Sequence, residues 1–240
     1  MEETTWKKLL QLREKTKALD FQSFPVEEFS SDAEAEEYLR VIGSRSEADA
    51  KPVIFAHLAQ SLDARIACQS GDSKWIGNQG NLIHAHRMRA LCDCIMVGKQ
   101  TWEYDSPQLN VRHVEGENPV KLIIEGHSIN KNNYPKTYYF DDGEPTTSEW
   151  ESPSELLKTV FHKGIKTIFL EGGGKTVSFF LMNKLVDYLQ LHISPLVMGS
   201  GINSILLPEI NTLDQAINFE NPRFIPIEDH IMFSGKVIYK

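Results

Sequence analysis

Short apolar runs recur along the chain between polar stretches, and they predict its β-strands. Four such runs occupy residues 53–58, 94–98, 120–125 and 165–171. Segments with apolar positions at helical spacing lie between them, notably at 81–91 and after Ser152. Nearly continuous apolar runs are typical of strands that are buried on both faces of a parallel sheet. The alternation therefore predicts an α/β protein with helices on both faces of a mostly parallel sheet.

The first fifty residues follow a different pattern. Helix-forming residues at 6–18 predict one helix, and a capping box that begins at Ser31 predicts a second helix that ends at Gly43. A polar linker follows that glycine, and no group of residues before it suggests chemistry. We therefore predict a helical extension over residues 1–50 and a main domain over residues 51–240.

The last quarter of the chain predicts antiparallel strands. Apolar and polar residues alternate at 189–193, which is typical of a strand with one exposed face and makes this segment a candidate subunit contact. The segments 223–227 and 230–239 flank a Glu-Asp turn and predict a terminal hairpin.

Composition narrows the classes of function. Hydrophobic residues make up 41% of the 240 residues, which is enough for a sizeable core without disulfides or metals. The net charge of −8 argues against a nucleic-acid-binding protein. Three cysteines without a C-x-x-C spacing favour neither disulfides nor a zinc site, and no segment suggests a signal peptide or a membrane span. The sequence predicts a cytoplasmic protein with no metal, nucleic-acid or membrane partner.

Three consecutive glycines, Gly172 to Gly174, connect the last of the four strands to a predicted helix that starts at Thr176. At such a turn, backbone N–H groups approach a phosphate closely and the helix presents its positive end. The P-loop pattern fails because Phe169 occupies a required glycine position, and the dinucleotide fingerprint fails at Val177. A tight turn without a ligand is the alternative interpretation.

Polar residues near the predicted strand ends are further candidates. Arg89 lies in the predicted helix before the second strand, where it either belongs to a solvated basic face or binds a phosphate or carboxylate. Trp75 lies in a polar loop, where it either covers the core or stacks against a ring. Asp105 and Arg112 follow the second strand. Loops at the carboxyl ends of parallel strands are where α/β sheets bind ligands.

Several blocks, in order from Val53 to the C-terminus, resemble the reductase domain of riboflavin biosynthesis. The blocks are Ala-Gln-Ser-Leu-Asp at 59–63, Ser-Lys-Trp-Ile at 73–76, His-Arg-Met-Arg-Ala at 86–90, Val-Gly at 97–98, Thr101, the segment 105–112, Leu-Glu-Gly-Gly-Gly at 170–174, Leu-Val-Asp at 185–187 and Pro-Leu-Val-Met-Gly at 195–199. The resemblance implies a homodimer with a dihydrofolate-reductase-like fold. That fold has three layers, a mixed and mostly parallel central sheet between helices, and a C-terminal antiparallel hairpin. Residues 1–50 lie outside the resemblance.

The resemblance also implies an activity, which is the NADPH-dependent reduction of a phosphoribosylamino-pyrimidine to its ribityl form. It implies NADPH contacts at Ala59, Trp75, Thr101, Asp105, Gly172, Gly173, Gly174, Lys175, Thr176 and Val177. It implies substrate contacts at Ser73, Arg89, Leu109, Arg112 and Glu171, with both arginines on the sugar phosphate. Asp63 and Glu171 are candidate proton donors or orienting groups for hydride transfer to C1′. Turn capping by Asp63 and binding of the base by Glu171 are the alternatives.

The chain departs from the family pattern at three places. Ala64 follows Ser-Leu-Asp where the family usually has glycine, and residues 104–107 are Tyr-Asp-Ser-Pro where it often has Ala-Asp-Asp-Pro. The strand before the expected adenosine end of the cofactor ends in Glu125-Gly126, where the family usually has Asp-Ser or a similar pair. Two alternatives therefore stay open: a reductase of the same fold for a pterin or another small molecule, and a non-catalytic nucleotide-binding module. No zinc deaminase motif precedes residue 51, so we expect deamination to be carried out by a separate protein or after reduction.

Overall fold

The structure, a computed structural model, describes residues 1–17, 29, 32–74, 76–125, 136–140 and 146–240. Its strands are β1 (Val53–Gln60), β2 (Arg65–Ala67), β3 (Cys94–Gly98), β4 (Val120–Glu125), β5 (Lys136–Phe140), β6 (Thr146–Glu149), β7 (Thr167–Glu171), β8 (Tyr188–Ile193), β9 (Ile202–Asn203), β10 (Asn218–Ile227) and β11 (His230–Ile238). Its α-helices are α1 (Glu3–Lys17), α2 (Ala33–Glu47), α3 (Gln79–Leu91), α4 (Lys99–Asp105), α5 (Pro153–His162) and α6 (Gly174–Met182).

Nine of these strands form one mixed sheet in the order β10-β11-β8-β1-β7-β3-β4-β5-β6. The five strands from β8 to β4 are parallel. Antiparallel hairpins extend the sheet at both ends, β5–β6 beside β4 and β10–β11 beside β8. The parallel centre places the carboxyl ends of β1, β3 and β7 next to one another, where α/β sheets bind ligands.

Helices cover both faces of the sheet and complete the predicted three layers. On one face, α1, α2 and α3 pack against β1 and β7 through residues such as Trp6, Tyr38, Met88 and Phe55. On the other face, α5 and α6 pack against the same strands, with Phe180 fully buried. The two N-terminal helices thus share a hydrophobic cluster with the sheet, and the domain boundary near residue 50 stays a prediction.

The predicted strands and the terminal hairpin are confirmed, as is the start of α5. The Ser152 hydroxyl accepts the backbone N–H of Glu155 at 3.2 Å, as an N-cap does. The second helix differs from its prediction. Asp32 is its N-cap, and the helix continues through Gly43 to Glu47. Ser31 lies outside the described residues. A glycine inside a helix costs only about 1 kcal/mol relative to alanine, which packing of the buried face outweighs.

The prediction that β8 exposes its polar residues is wrong. Gln190 and His192 are 0% exposed, whereas Leu191 is only partly buried. The α2–α3 layer covers the polar side of the strand, and the Gln190 amide donates to Glu37 on α2 at 3.0 Å. Because β8 pairs with β1 on one side and β11 on the other, it is an interior strand and not a subunit edge.

Candidate functional site

A cleft of about 630 Å³ opens at the carboxyl ends of β1, β3 and β7. It is bounded by α3 on one side and by the loop after α4 on another. Nine of the predicted site residues line it: Ala59, Ser73, Arg89, Thr101, Asp105, Leu109, Glu171, Gly172 and Gly173. The fold therefore gathers residues that are spread over more than a hundred positions of the sequence.

A second cleft of about 560 Å³ adjoins the first and shares Ser73, Thr101, Asp105 and Gly173 with it. Gly174, Lys175 and Thr176 from the start of α6 also line this second space. The shared residues make the two clefts one elongated groove. A groove of this form has room for an extended ligand beside a smaller one.

The glycine turn is shaped by close contacts with the chain around it. A Cβ atom on Gly174 would lie 2.4 Å from the carbonyl oxygen of Ser204 and 2.5 Å from that of Asn203, so a side chain does not fit there. Gly173 is the N-cap of α6, and no side chain caps this helix end. The end of α6 that favours anions therefore faces the groove, with the exposed Lys175 beside it. These features fit the phosphates of a dinucleotide cofactor.

An ion pair between Arg89 and Glu171 lies at the wall of the larger cleft. The guanidinium donates two hydrogen bonds to the carboxylate, at 2.8 Å from Nε and 2.6 Å from Nη2, and a third to the carbonyl oxygen of Asn110 at 3.1 Å. The Arg89 side chain is 7% exposed and that of Glu171 is 27% exposed. Arg89 thus makes these contacts within the protein, and its predicted contact with a sugar phosphate stays a prediction. The two hydrogen bonds from the Arg89 guanidinium fix the direction of the Glu171 carboxylate at the cleft wall.

Asp63 lies outside the residues that line either cleft. Its carboxylate accepts a hydrogen bond from Ser61 at 2.6 Å and from the backbone N–H groups of Met198 and Gly199 at 3.0 and 2.6 Å. The bond from Ser61, followed by that from Met198, lowers the pKa of Asp63 to about 2. A carboxylate so held stays ionised near neutral pH, so the geometry supports the turn-capping alternative over a proton donor.

Three other predicted contacts lie away from the groove or cannot be placed. Arg112 is exposed, and its guanidinium donates to the Asn110 side chain at 2.8 Å outside the residues that line the two clefts. Val177 is fully buried in the core on the α6 side of the sheet, so its side chain does not reach a ligand. Trp75 lies outside the described residues.

His57 is a cleft residue that the sequence analysis missed. It lies on β1, is 5% exposed and lines the larger cleft. Burial, and then the neighbouring His84 and His192, lower its pKa well below the ordinary value. A histidine inside an otherwise apolar strand was the available signal, because a polar residue in a buried run has to be satisfied there.

In the part of the chain that the structure describes, three or more His, Cys, Asp or Glu side chains do not come together in a way that would hold a metal ion. No described helix combines the length and the apolar character needed to cross a bilayer.

Comparison with known proteins agrees with this architecture. A sequence model of the RibD C-terminal domain matches residues 52–221, which is most of the chain. The chain belongs to the RibD C-terminal domain family. The match begins where β1 begins, and it leaves α1 and α2 outside the RibD C-terminal domain.

Two relatives with names show how much of a known protein this chain matches. The riboflavin biosynthesis protein RibD of Corynebacterium ammoniagenes is 27% identical over 177 residues, which cover 69% of this chain and 50% of that protein. The 2,5-diamino-6-ribosylamino-4(3H)-pyrimidinone 5′-phosphate reductase of Methanothermobacter thermautotrophicus is 28% identical over 177 residues, which cover 62% of this chain and 80% of that protein. This member of the RibD C-terminal domain family therefore spans half the length of the first relative and most of the second.

Solved structures share the fold. Acinetobacter baumannii RibD matches with a TM-score of 0.70 at 20% identity, over 85% of this chain and 64% of that chain. The riboflavin biosynthesis reductase Rib7 of Saccharomyces cerevisiae matches with a TM-score of 0.57 at 17% identity, over 79% of this chain and 91% of that chain. These neighbours confirm the predicted dihydrofolate-reductase-like fold class.

Proposed function

We propose that this protein uses NADPH to reduce the ribosyl part of a phosphoribosylamino-pyrimidine to a ribityl chain, as a step of riboflavin biosynthesis. The observation that carries the proposal is the groove itself. One end is a glycine turn at the start of α6, and the other contains a carboxylate held by a buried arginine. The names of the relatives supply the substrate class, since one is a ribosylamino-pyrimidinone phosphate reductase.

The cofactor end of the groove is assigned to α6 and the loop around Thr101. Gly173 and the uncapped start of α6 line the groove, and Lys175 supplies a positive charge. Thr101 and Asp105 complete the opposite wall. Bound there, a reduced nicotinamide supplies the hydride, and the protein contributes position and electrostatics. The preference for NADPH over NADH is part of the proposal.

The substrate end is assigned to Glu171, Arg89, Ser73 and Leu109. In the ring-opened form of the sugar, the C1′=N imine would take a proton from water, and addition of hydride to the C1′ carbon of the protonated imine would give the amine. Because Arg89 keeps the Glu171 carboxylate in a fixed direction, Glu171 accepts a hydrogen bond from the substrate and favours the positive charge of a protonated imine. We assign Glu171 this orienting role and not that of a proton donor, since the product amine keeps the proton that the imine took from water before hydride transfer.

Turnover tests the proposal. Purified protein is mixed with NADPH and, separately, with the amino-ribosyl and the diamino-ribosyl pyrimidine phosphates, and loss of reduced-nicotinamide absorbance is followed. Turnover of either supports the proposal and shows whether reduction follows or precedes deamination. If NADPH binds but neither compound reacts, a same-fold reductase for another small molecule replaces it. Absence of NADPH binding by fluorescence titration would instead favour a non-catalytic module.

The proposal includes a homodimer that acts in the cytoplasm. Light scattering of the purified protein at assay concentration tests whether it is a dimer. A molar mass equal to that of the monomer would refute the homodimer and leave the proposed activity untested by this experiment.

A further inference from the structure

Two unpaired polar atoms lie on the inner wall of the larger cleft. His57 is 5% exposed, and its Nε2 atom has no hydrogen-bond partner among the described residues. The side-chain oxygen of Asn81, on α3, is buried and also lacks a partner in that part of the chain. Both residues line the cleft. The Asn81 side chain is close enough to His57 to raise its pKa, yet neither buried atom completes a hydrogen bond of normal geometry within the described residues. Because burying a polar atom without a partner is unfavourable, a ligand group that bonds to both atoms would stabilise this wall.

The sheet places His57 beside the proposed reacting end of the substrate. His57 on β1 is the register partner of Glu171 on β7, so both side chains project from the same face of the sheet. This is the face covered by α3, which carries Arg89 and Asn81. The His57 ring lies 5.4 Å from the ring of His84 and 5.7 Å from that of Phe169, measured between centroids. Packing on both sides therefore fixes the imidazole.

The part of the cleft wall formed by His57 and Asn81 presents neutral groups. Burial lowers the pKa of His57 most, His84 and His192 lower it further, and the neighbouring Asn81 side chain raises it in part. The neutral ring offers either one N–H or one lone pair at Nε2, and the Asn81 oxygen offers lone pairs. A phosphate does not suit this wall, because the wall offers it no cation and at most one N–H donor, and the Asn81 oxygen would repel it. A hydroxyl or an N–H group of a ligand does fit it.

The neighbouring His84 gives a contrast to His57, because both of its ring nitrogens are hydrogen-bonded within the protein. Glu37 on α2 accepts from the Gln190 amide at 3.0 Å, so Gln190 turns its oxygen toward His84 Nε2 at 3.1 Å. His84 must then donate from Nε2 and accept at Nδ1 from the Tyr38 hydroxyl at 2.9 Å. Both nitrogens of His84 are used within the protein, whereas Nε2 of His57 is not.

We propose that His57 and Asn81 form a substrate-positioning subsite that hydrogen-bonds an uncharged hydroxyl or N–H group of the bound pyrimidine ribosyl phosphate. The identity of the ligand rests on the proposed function. The group comes either from the sugar chain or from the pyrimidine ring, and the subsite holds it beside Glu171. α2 contributes through Glu37, which keeps the supporting layer in a single tautomer.

Imidazole NMR of the wild-type protein tests this directly. The protein is labelled with ¹⁵N-histidine, and its eight imidazoles are observed with NADP⁺ present. Signals of His57 and His84 are assigned with the variants His57→Gln and His84→Gln. Ribose 5-phosphate and 5,6-diaminouracil are then titrated separately. We expect one of them to shift Nε2 of His57 and to leave His84 unchanged. A shift with the sugar phosphate identifies a hydroxyl, and a shift with diaminouracil identifies a ring or amino N–H. No shift of His57 with either probe overturns the proposal.

Kinetics separates this subsite from the proposed function. Loss of one hydrogen bond to a neutral group, about 0.5–1.5 kcal/mol, predicts that His57→Phe lowers kcat/KM roughly 2- to 12-fold and that His57→Gln restores part of it. If the wild type turns over and His57→Phe matches it in kcat and KM, the subsite is refuted and the function stands. If the wild type turns over neither pyrimidine phosphate while the His57 shift is present, the function is refuted and the subsite stands.

Discussion

The Glu171→Gln variant tests the ion pair that organises the substrate end. The change keeps the size of the side chain and one acceptor oxygen but removes the charge that Arg89 faces. Arg89 is 7% exposed, so its guanidinium cannot recover the lost interaction from water. Breaking a buried pair costs about 3–5 kcal/mol, and losing one hydrogen bond to a charged group costs about 1.5–3 kcal/mol. Because Glu171 is 27% exposed and the amide still accepts one bond, we expect about 2 kcal/mol of destabilisation.

Urea unfolding followed by circular dichroism measures this loss. The matched control is Glu220→Gln, which removes the same charge from an exposed pair with Lys236 at 3.9 Å on the terminal hairpin. We expect the control to change the free energy of unfolding by less than about 0.5 kcal/mol. In a protein that already carries Arg89→Met, Glu171→Gln should lower the free energy of unfolding much less than it does in the wild type, since no buried cation is left. Equal unfolding free energies for Glu171→Gln and the wild type would refute the account of this pair.

Three further predictions follow from contacts around the groove. Gly174→Ala drives a Cβ against the Ser204 carbonyl at 2.4 Å, so it should cost about 1–3 kcal/mol in urea unfolding and weaken NADPH binding in a fluorescence titration. Ala64 has φ of 59°, so Ala64→Gly should stabilise the protein by about 1 kcal/mol, visible as a higher Tm, and a lower Tm would contradict this. The pKa of Asp63 falls from 3.8 to about 2 on folding, so its stabilising contribution is complete above pH 3.8 and is lost as the pH falls toward 2. Asp63→Asn should flatten the pH dependence of unfolding in that window and leave kcat near the wild-type value, whereas a large fall in kcat would restore a catalytic role.

The sequence was sufficient for features that depend on local pattern. Central strands such as β1 and β7 are apolar along most of their length, and a helix start with Ser152 and Pro153 carries its own capping signal. The glycine turn before α6 was likewise predicted, from three consecutive glycines between a strand pattern and a helix pattern. These signals lie within a few residues of the element that they specify.

Features that depend on distant partners were not predictable from such patterns. Arg89 and Glu171 are 82 positions apart, and their pairing exists only once α3 packs on the sheet. Gln190 and His192 alternate with leucine and so suggested a solvated face, but α2 and α3 cover that face. Alternation reports that the two faces differ in polarity, not which of them meets water.

The position of Ala64 shows how structure explains a departure from the family pattern. The family usually has glycine there, and the backbone of this turn is left-handed with φ of 59°. Alanine tolerates that conformation at a cost of about 1–2 kcal/mol, so the turn persists because Ser61, Asp63 and the loop at 198–199 hold it. The substitution therefore changes the stability of a turn and not the lining of the groove.

Transfer of deuterium from NADPH that carries deuterium at both C4 positions of the nicotinamide tests the central claim most directly. The protein is incubated with the labelled cofactor and the pyrimidine ribosyl phosphate that it turns over, and the product is examined by mass spectrometry and NMR. The account predicts one deuterium at C1′ of a ribityl chain. Oxidation of the cofactor without deuterium at C1′, or no oxidation of NADPH with either pyrimidine phosphate, would contradict it.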